Sequence, residues 1–233
     1  MKKISLLILT LLILIACGKK EKDLIVKGNI QGLKKGTVYL KKIEDTILIT
    51  VDSLVINGNS NFELQSDLDS PEVFFLYLDK KSTDKDRIRF FADKGVTEIN
   101  TTLKNFVFDA KIIGSEQQKI LEQYQSMISK MNNRNLDLIK EQFEAQKQAD
   151  TAKINIIRKE ADNMLKRKYL YTVNFALNNK NSEVAPYLAL SEIYNAHVKF
   201  LDTINNSLTP EVKATKYGEE LESFIKKIKE NEN

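Results

Sequence analysis

The chain's only cysteine, Cys17, follows an apolar run from Ile4 to Ala16 that is broken only by Ser5 and Thr10 and preceded by Lys2 and Lys3. This arrangement decides which residues are available to fold. A helix that crosses a bilayer needs about 20 apolar residues, and the run falls short of that. A basic start, a short apolar stretch and the small residues Ala16 and Gly18 on either side of Cys17 have the form of a secretory leader instead. Residues 1–16 are therefore read as a signal peptide, and the folded chain is expected to start from Cys17.

The same residue restricts the chemistry. With one cysteine, the chain can form no internal disulfide, no zinc centre built on several thiolates and no dithiol redox pair. His197 is the only histidine, whereas a catalytic zinc ordinarily takes two or three. No metal and no cofactor are expected. Lys2 and Lys3 supply half of the formal net charge of +4, because residues 1–16 hold no acids. The remainder is too mild for a nucleic-acid footprint, so no nucleic-acid partner is expected.

Residues 23–114 read as short strands separated by turns. Asp23 to Gln31 is followed by the turn Gly32-Leu33-Lys34-Lys35-Gly36, and Thr37 to Ile43 by the β-branched run Ile47 to Ile56. Asn57-Gly58 is a strong tight-turn signal, since both residues tolerate positive φ. Asn61 to Gln65 places Phe62 and Leu64 on one face. Pro71 opens Glu72 to Leu78, and Arg87 to Ala92, Val96 to Thr102 and Phe106 to Ile113 complete the set. Short strands at this spacing imply an antiparallel β-sandwich or a partly closed barrel.

The period changes at Gly114-Ser115, and residues 115–233 read as a helical segment, making the fold class α+β. Ser115 with Gln118 forms a capping-box pattern, Gln118 being expected to reach back to Ser115. Ile120, Tyr124, Met127 and Met131 follow at helical spacing. Asn132-Asn133-Arg134-Asn135 marks a bend or interruption before Leu136, Ile139 and Phe143 resume the pattern. A second helix carries Ile154, Ile157, Ala161, Leu165 and Tyr169 and is expected to run to about Ala176. Ser182 caps a third that bears Val184, Tyr187, Leu188, Tyr194 and Leu201. Thr209-Pro210 starts a last helix, with Pro at its first position. Such amphipathic stripes must be covered. The plain expectation is an antiparallel bundle; the sharper one is a long helix presenting a face to a partner.

No cluster of chemistry-bearing residues stands out. Ser191, His197 and Asp202 are near one another in sequence, but their offsets on a helix do not make a triad. Asp79, Asp84 and Asp86 alternate with Lys80, Lys81 and Lys85, and the lysines oppose a bound cation. Gly28, Gly32 and Gly36 sit around strands and read as turn residues, unlike a phosphate loop leading into a helix. Phe74, Phe75, Tyr77, Phe90 and Phe91 are expected in the core, with one aromatic at most on a binding rim. No catalytic residue is assigned, and the chain is read as non-enzymatic; a hydrolase using dispersed carboxylates is the remaining enzyme class.

Leu14-Ile15-Ala16-Cys17 resembles the lipobox of bacterial lipoproteins. The resemblance implies lipidation of the Cys17 thiol by a diacylglyceryl group, cleavage before it, and a further acyl chain such as palmitate on the freed amine. Each buried CH₂ contributes about 0.8 kcal/mol, so two or three chains hold the protein to a membrane almost permanently. Asp after the cysteine tends to retain such proteins at the inner membrane. Gly18 stands there, which implies the outer membrane, facing either the periplasm or the exterior. Residues 17–22 form the acylated, charged tether.

The β half also resembles a domain of unknown function known from anchored proteins of Gram-negative bacteria. Val26-Lys27-Gly28-Asn29-Ile30, Gly32-Leu33, Gly36-Thr37-Val38-Tyr39-Leu40, Asp52-Ser53-Leu54-Val55-Ile56-Asn57-Gly58 with Phe62, Pro71-Glu72, Phe91-Ala92-Asp93-Lys94-Gly95 and Ile113-Gly114-Ser115 carry the likeness, followed by Asn181-Ser182-Glu183-Val184-Ala185. In many relatives a thioredoxin-like thiol-disulfide oxidoreductase domain comes next. This sequence holds no Cys-x-x-Cys, so the resemblance implies architecture and location but not redox activity. Two roles remain open: a binding or scaffolding module with a possible protein partner in the envelope, or an accessory partner of a separate thioredoxin-like oxidoreductase.

Overall fold

Alternation of apolar and polar residues builds the N-terminal half. In β4 (Asn61–Ser66), Phe62, Leu64 and Ser66 are buried while Asn61, Glu63 and Gln65 face solvent, as the two-residue period of a half-buried strand requires. The computed structural model describes residues 22–78 and 86–231. Cys17, the leader and residues 79–85 of the Asp79–Asp86 segment lie outside the described residues. The other strands are β1 (Leu24–Gln31), β2 (Lys35–Glu44), β3 (Ile47–Asn57), β5 (Glu72–Leu78), β6 (Arg87–Ala92), β7 (Gly95–Thr102) and β8 (Lys111–Ile113).

They form two four-stranded sheets, β4-β1-β7-β8 and β3-β2-β5-β6. The sheets stay open as a sandwich and do not close into a barrel. Every pairing is antiparallel except β1 with β7. At that parallel pair Gly28 lies against Ile99, and a Cβ on Gly28 would fall 1.8 Å from the Ile99 carbonyl oxygen. Leu24, Val26, Leu40, Leu64, Phe74, Leu76, Phe90 and Ile99 fill the sandwich. The strand expected from Phe106 to Ile113 is limited to β8. Phe106 sits in the preceding turn with its side chain in the core, and the Thr101 hydroxyl donates to its carbonyl at 2.7 Å.

Strand β5 is buried on both faces. Phe74 and Leu76 enter the sandwich, whereas Val73, Phe75 and Tyr77, with Phe91 of β6, face the opposite way. An apolar outer face on a sheet must be covered, and the helices do this. They are α1 (Glu116–Lys147), α2 (Thr151–Asn178), α3 (Val184–Glu192), α4 (Val198–Ser207), α5 (Pro210–Lys213) and α6 (Lys216–Asn231). Leu121, Tyr124 and Ile128 of α1, Val184 and Leu188 of α3 and Tyr217 of α6 complete that second core. A third core, including Val173, Ala185, Ala189, Leu201 and Leu221, holds the helices to each other. The helical half is thus a bundle and the lid of a sheet at once.

Three helix boundaries differ from the sequence expectation. Helix α1 runs through Asn132–Asn135 without interruption. Arg134 there pairs with Glu141 on α1 and reaches Glu160 on α2, with contacts of 2.8 and 2.7 Å. The helix expected after Ser182 is broken between Ile193 and His197 into α3 and α4. Thr209 accepts from the Val212 N–H as expected of an N-cap, but the helix it caps is the short α5, and α6 starts separately at Lys216.

Candidate functional site

The site lies where the outer face of β2-β5-β6 meets α3 and α6, and a polar seam on each side fixes it. β6 is an edge strand, so its outward N–H groups need partners. The Gln118 carboxamide oxygen accepts from the Phe91 N–H at 2.8 Å. Ser115 Oγ accepts from the Gln118 N–H at 2.9 Å, as an N-cap should. Gln118 does not complete the expected box, because its oxygen is occupied by Phe91 and its nitrogen donates to Glu122 at 2.8 Å. Asp93 serves other N–H groups of the first turn, its Oδ2 accepting from the Glu116 N–H at 2.7 Å and from the Gln117 N–H at 3.3 Å. Ser182 donates to Gln117 and accepts from the Val184 N–H at 3.2 Å, joining α3 to the same seam. Burial, reinforced by the charge of Asp93, holds the Glu183 carboxyl above the ordinary carboxylate range.

The second seam ties α6 to β5. Tyr217 Oη accepts from the Val73 N–H at 3.0 Å. Glu72, almost fully buried, is paired with Lys42 at 3.1 Å and with Lys216. Lys216 also donates to the Ile43 carbonyl at 2.7 Å. A buried carboxylate held by two ammonium groups fixes the start of α6 against the sheet.

Between the seams lies a cleft of about 340 Å³, within the size range of small-molecule sites. Val73, Phe75, Tyr187, Leu190 and Tyr217 give it an apolar floor. Phe91 sets the two tyrosines: its ring lies 5.5 Å from Tyr187 and 5.7 Å from Tyr217, both edge-on, and the tyrosines are 5.2 Å apart. Such edge-to-face contacts add to the area buried and hold the rings in one arrangement. Burial raises the hydroxyls of Tyr187 and Tyr217 above the ordinary phenol range, so both remain neutral donors and acceptors.

Charge is divided around this floor. Arg87 and Arg89 of β6 line the cleft and supply positive charge, which opposes the effect of burial at the Tyr187 hydroxyl. Arg87 donates to Tyr77 Oη at 3.0 Å and lies 4.5 Å from the Phe75 ring centroid. Asp45 and Glu220 bring negative charge from the β2–β3 turn and α6. Burial holds the Glu220 carboxyl above the ordinary range, against the pull of Lys216, and the charges of Glu72 and Asp45 act in the same direction as burial. The result is an aromatic-floored cleft with separated cationic and acidic walls.

The residues weighed from sequence fall elsewhere. Cys17 lies outside the described residues. His197 is exposed and caps α4, its Nδ1 accepting from the Lys199 N–H at 3.2 Å. Asp202 pairs with Lys229, whereas Ser191 lines the cleft beside Tyr187. These three engage separate partners. Of the five aromatics expected in the core all are buried, and Phe75 also lines the cleft. Arg89, Tyr187, Tyr217 and Glu220 were not expected as site residues from sequence, because β6, α3 and α6 converge only in space.

Two other concavities offer less. The groove between α1 and α2 is lined by Met131, Met164, Arg134 and Arg167, and Arg134 is already held by its two carboxylates. On the outer face of β4-β1-β7, the Asn29 side chain donates to Ser60 and Asn61 at 2.8 and 2.7 Å, and its backbone N–H donates to Asn100 Oδ1 at 3.0 Å. Those amides largely satisfy each other. Among the described residues no group of His, Cys, Asp or Glu gathers as a metal site, and no helix is long and apolar enough to cross a membrane.

Fold and cleft together define a β-sandwich sealed on one outer face by helices, with an amphiphilic cleft at the junction. Residues 24–121 match the model of the family described as Domain of unknown function (DUF4369), a match that covers the sandwich and the first turns of α1. No curated protein matches the chain.

Proposed function

We propose that this chain is a lipid-anchored cell-envelope lipoprotein, held at the outer membrane through Cys17, whose folded part binds a ligand and does not transform it. The observation that carries the reading is the Leu14-Ile15-Ala16-Cys17 sequence at the end of a leader too short to span a bilayer. The cleft between β5, β6, α3 and α6 supports the binding role, since a preformed concavity with an apolar floor and a few charged groups is the usual form of a small-ligand site. Its test is a photo-crosslinking residue at Leu190 in the full chain in living cells, with a second at exposed Lys226 as control. The reading predicts an adduct of discrete mass from the cleft position only. Identical adducts from both positions, or none from the cleft, would contradict it.

A second reading has the chain assist a separate thioredoxin-like oxidoreductase. The feature favouring it is the exposed stripe Leu136, Ile139 and Phe143 on α1, past the part of that helix covered by the sheet. It predicts capture of a thioredoxin-like protein by a crosslinker at Ile139. Capture of none there removes this reading and leaves the first intact.

A further inference from the structure

The geometry points to an anionic amphiphile as the occupant of this cleft: a molecule with an aromatic or aliphatic body on the Phe75–Tyr187–Tyr217 floor and a carboxylate head against Arg89. This rests on the reading of the cleft as a binding site and goes further by assigning the chemistry of what it takes.

Three observations carry it. First, the floor is apolar and rigid. Phe75 and Tyr217 are nearly fully buried, and the Phe91 ring fixes both tyrosines by edge contacts. A planar or extended hydrocarbon body can lie there without reordering side chains, which lowers the entropic cost of binding.

Second, the polar groups at the cleft are unequal. Lys216 is engaged by Glu72 and by the Ile43 carbonyl. Arg87 bonds Tyr77 and lies over the Phe75 ring. Arg89 is exposed and forms no ion pair among the described residues, so its planar fork of N–H donors is open to a ligand. Guanidinium matches carboxylate geometry with two parallel hydrogen bonds, and this makes it a selective group for such a head. Strand register places Arg89 directly opposite Phe75, so the head and body positions lie on neighbouring strands.

Third, Asp45 and Glu220 line the cleft from other elements, the β2–β3 turn and α6. They disfavour a carboxylate beside them and leave the β6 side as the place for an anionic head. A ligand therefore has one favourable orientation.

The test uses the full chain in a zwitterionic detergent and two probes with the same body: phenylbutyrate, which carries a carboxylate, and phenylbutanol, which carries a hydroxyl. Titration calorimetry against a detergent blank reads both. The acid should bind about tenfold or more tightly than the alcohol, the margin of one charge-assisted pair. Arg89→Gln should remove that margin by weakening the acid about tenfold and leaving the alcohol unchanged. Arg89→Lys should restore part of it, since the charge returns without the fork. Arg89 is exposed, so neither substitution removes a buried contact. Equal binding of acid and alcohol, or an acid affinity unmoved in Arg89→Gln, overturns the anion assignment while the cleft still stands as a site. Binding of neither probe also overturns it, and the crosslinker at Leu190 then reports separately whether the cleft is occupied in cells.

Discussion

The hydroxyl of Tyr217 accepts the backbone N–H of Val73 at 3.0 Å, across 144 positions of sequence. β2 pairs with β5 only from Leu78 to Phe74, so Val73 is one residue past the end of that ladder. A side chain from α6 thus takes the place of a missing strand partner. Removing only the oxygen, by Tyr217→Phe, keeps the ring against Phe91 and leaves a buried N–H without a partner. The expected loss is about 1–3 kcal/mol. Urea unfolding should show a lower midpoint with an unchanged slope. An unchanged midpoint would mean that water reaches Val73.

The other seam makes a comparable prediction. Gln118→Leu withdraws the oxygen that accepts from Phe91 on the edge strand β6. The expected cost is again about 1–3 kcal/mol, since the freed group is buried. Ser115→Ala, which removes the cap alone, should cost about 1 kcal/mol. Hydrogen exchange at the Phe91 amide separates the two: it should speed up strongly in Gln118→Leu and only slightly in Ser115→Ala.

Much of the sandwich was legible because its information is local. The alternation in β4, the Asn57-Gly58 turn with Gly58 at φ 93° and the Ser115 cap are each set by adjacent residues. The misreadings have non-local causes. Asn132–Asn135 looks like a helix breaker in isolation, yet Arg134 pairs across to Glu160 on the packed α2 and the helix continues unbroken. The parallel register of β1 with β7 joins segments about 70 residues apart, and no local pattern encodes it. Arg89, Tyr187 and Tyr217 were invisible as a site for the same reason, each being unremarkable in its own strand or helix.

Glu183 gives the fold a defined pH response. Burial, with the charge of Asp93 beside it, raises its carboxyl above the ordinary value of 4.5. Asp93 Oδ1 is itself buried without a partner among the described residues. A carboxyl with a higher affinity for its proton in the folded chain favours folding while protonated. Its contribution is intact below the ordinary value and is lost as pH rises through the folded value. Glu183→Gln, which cannot ionise, should therefore raise the melting temperature at pH 7, and the gain should shrink at pH 4. An equal gain at both values would mean that Glu183 ionises as freely in the fold as in the unfolded chain.

The anchor is tested most directly by the intact mass of the chain extracted from its native membranes. The account predicts an N-terminal residue at Cys17 whose mass includes a thioether-linked diacylglyceryl group and an amide-linked acyl chain, all lost from the membrane fraction in Cys17→Ser. A chain that retains Met1 and a free thiol at Cys17 would contradict it.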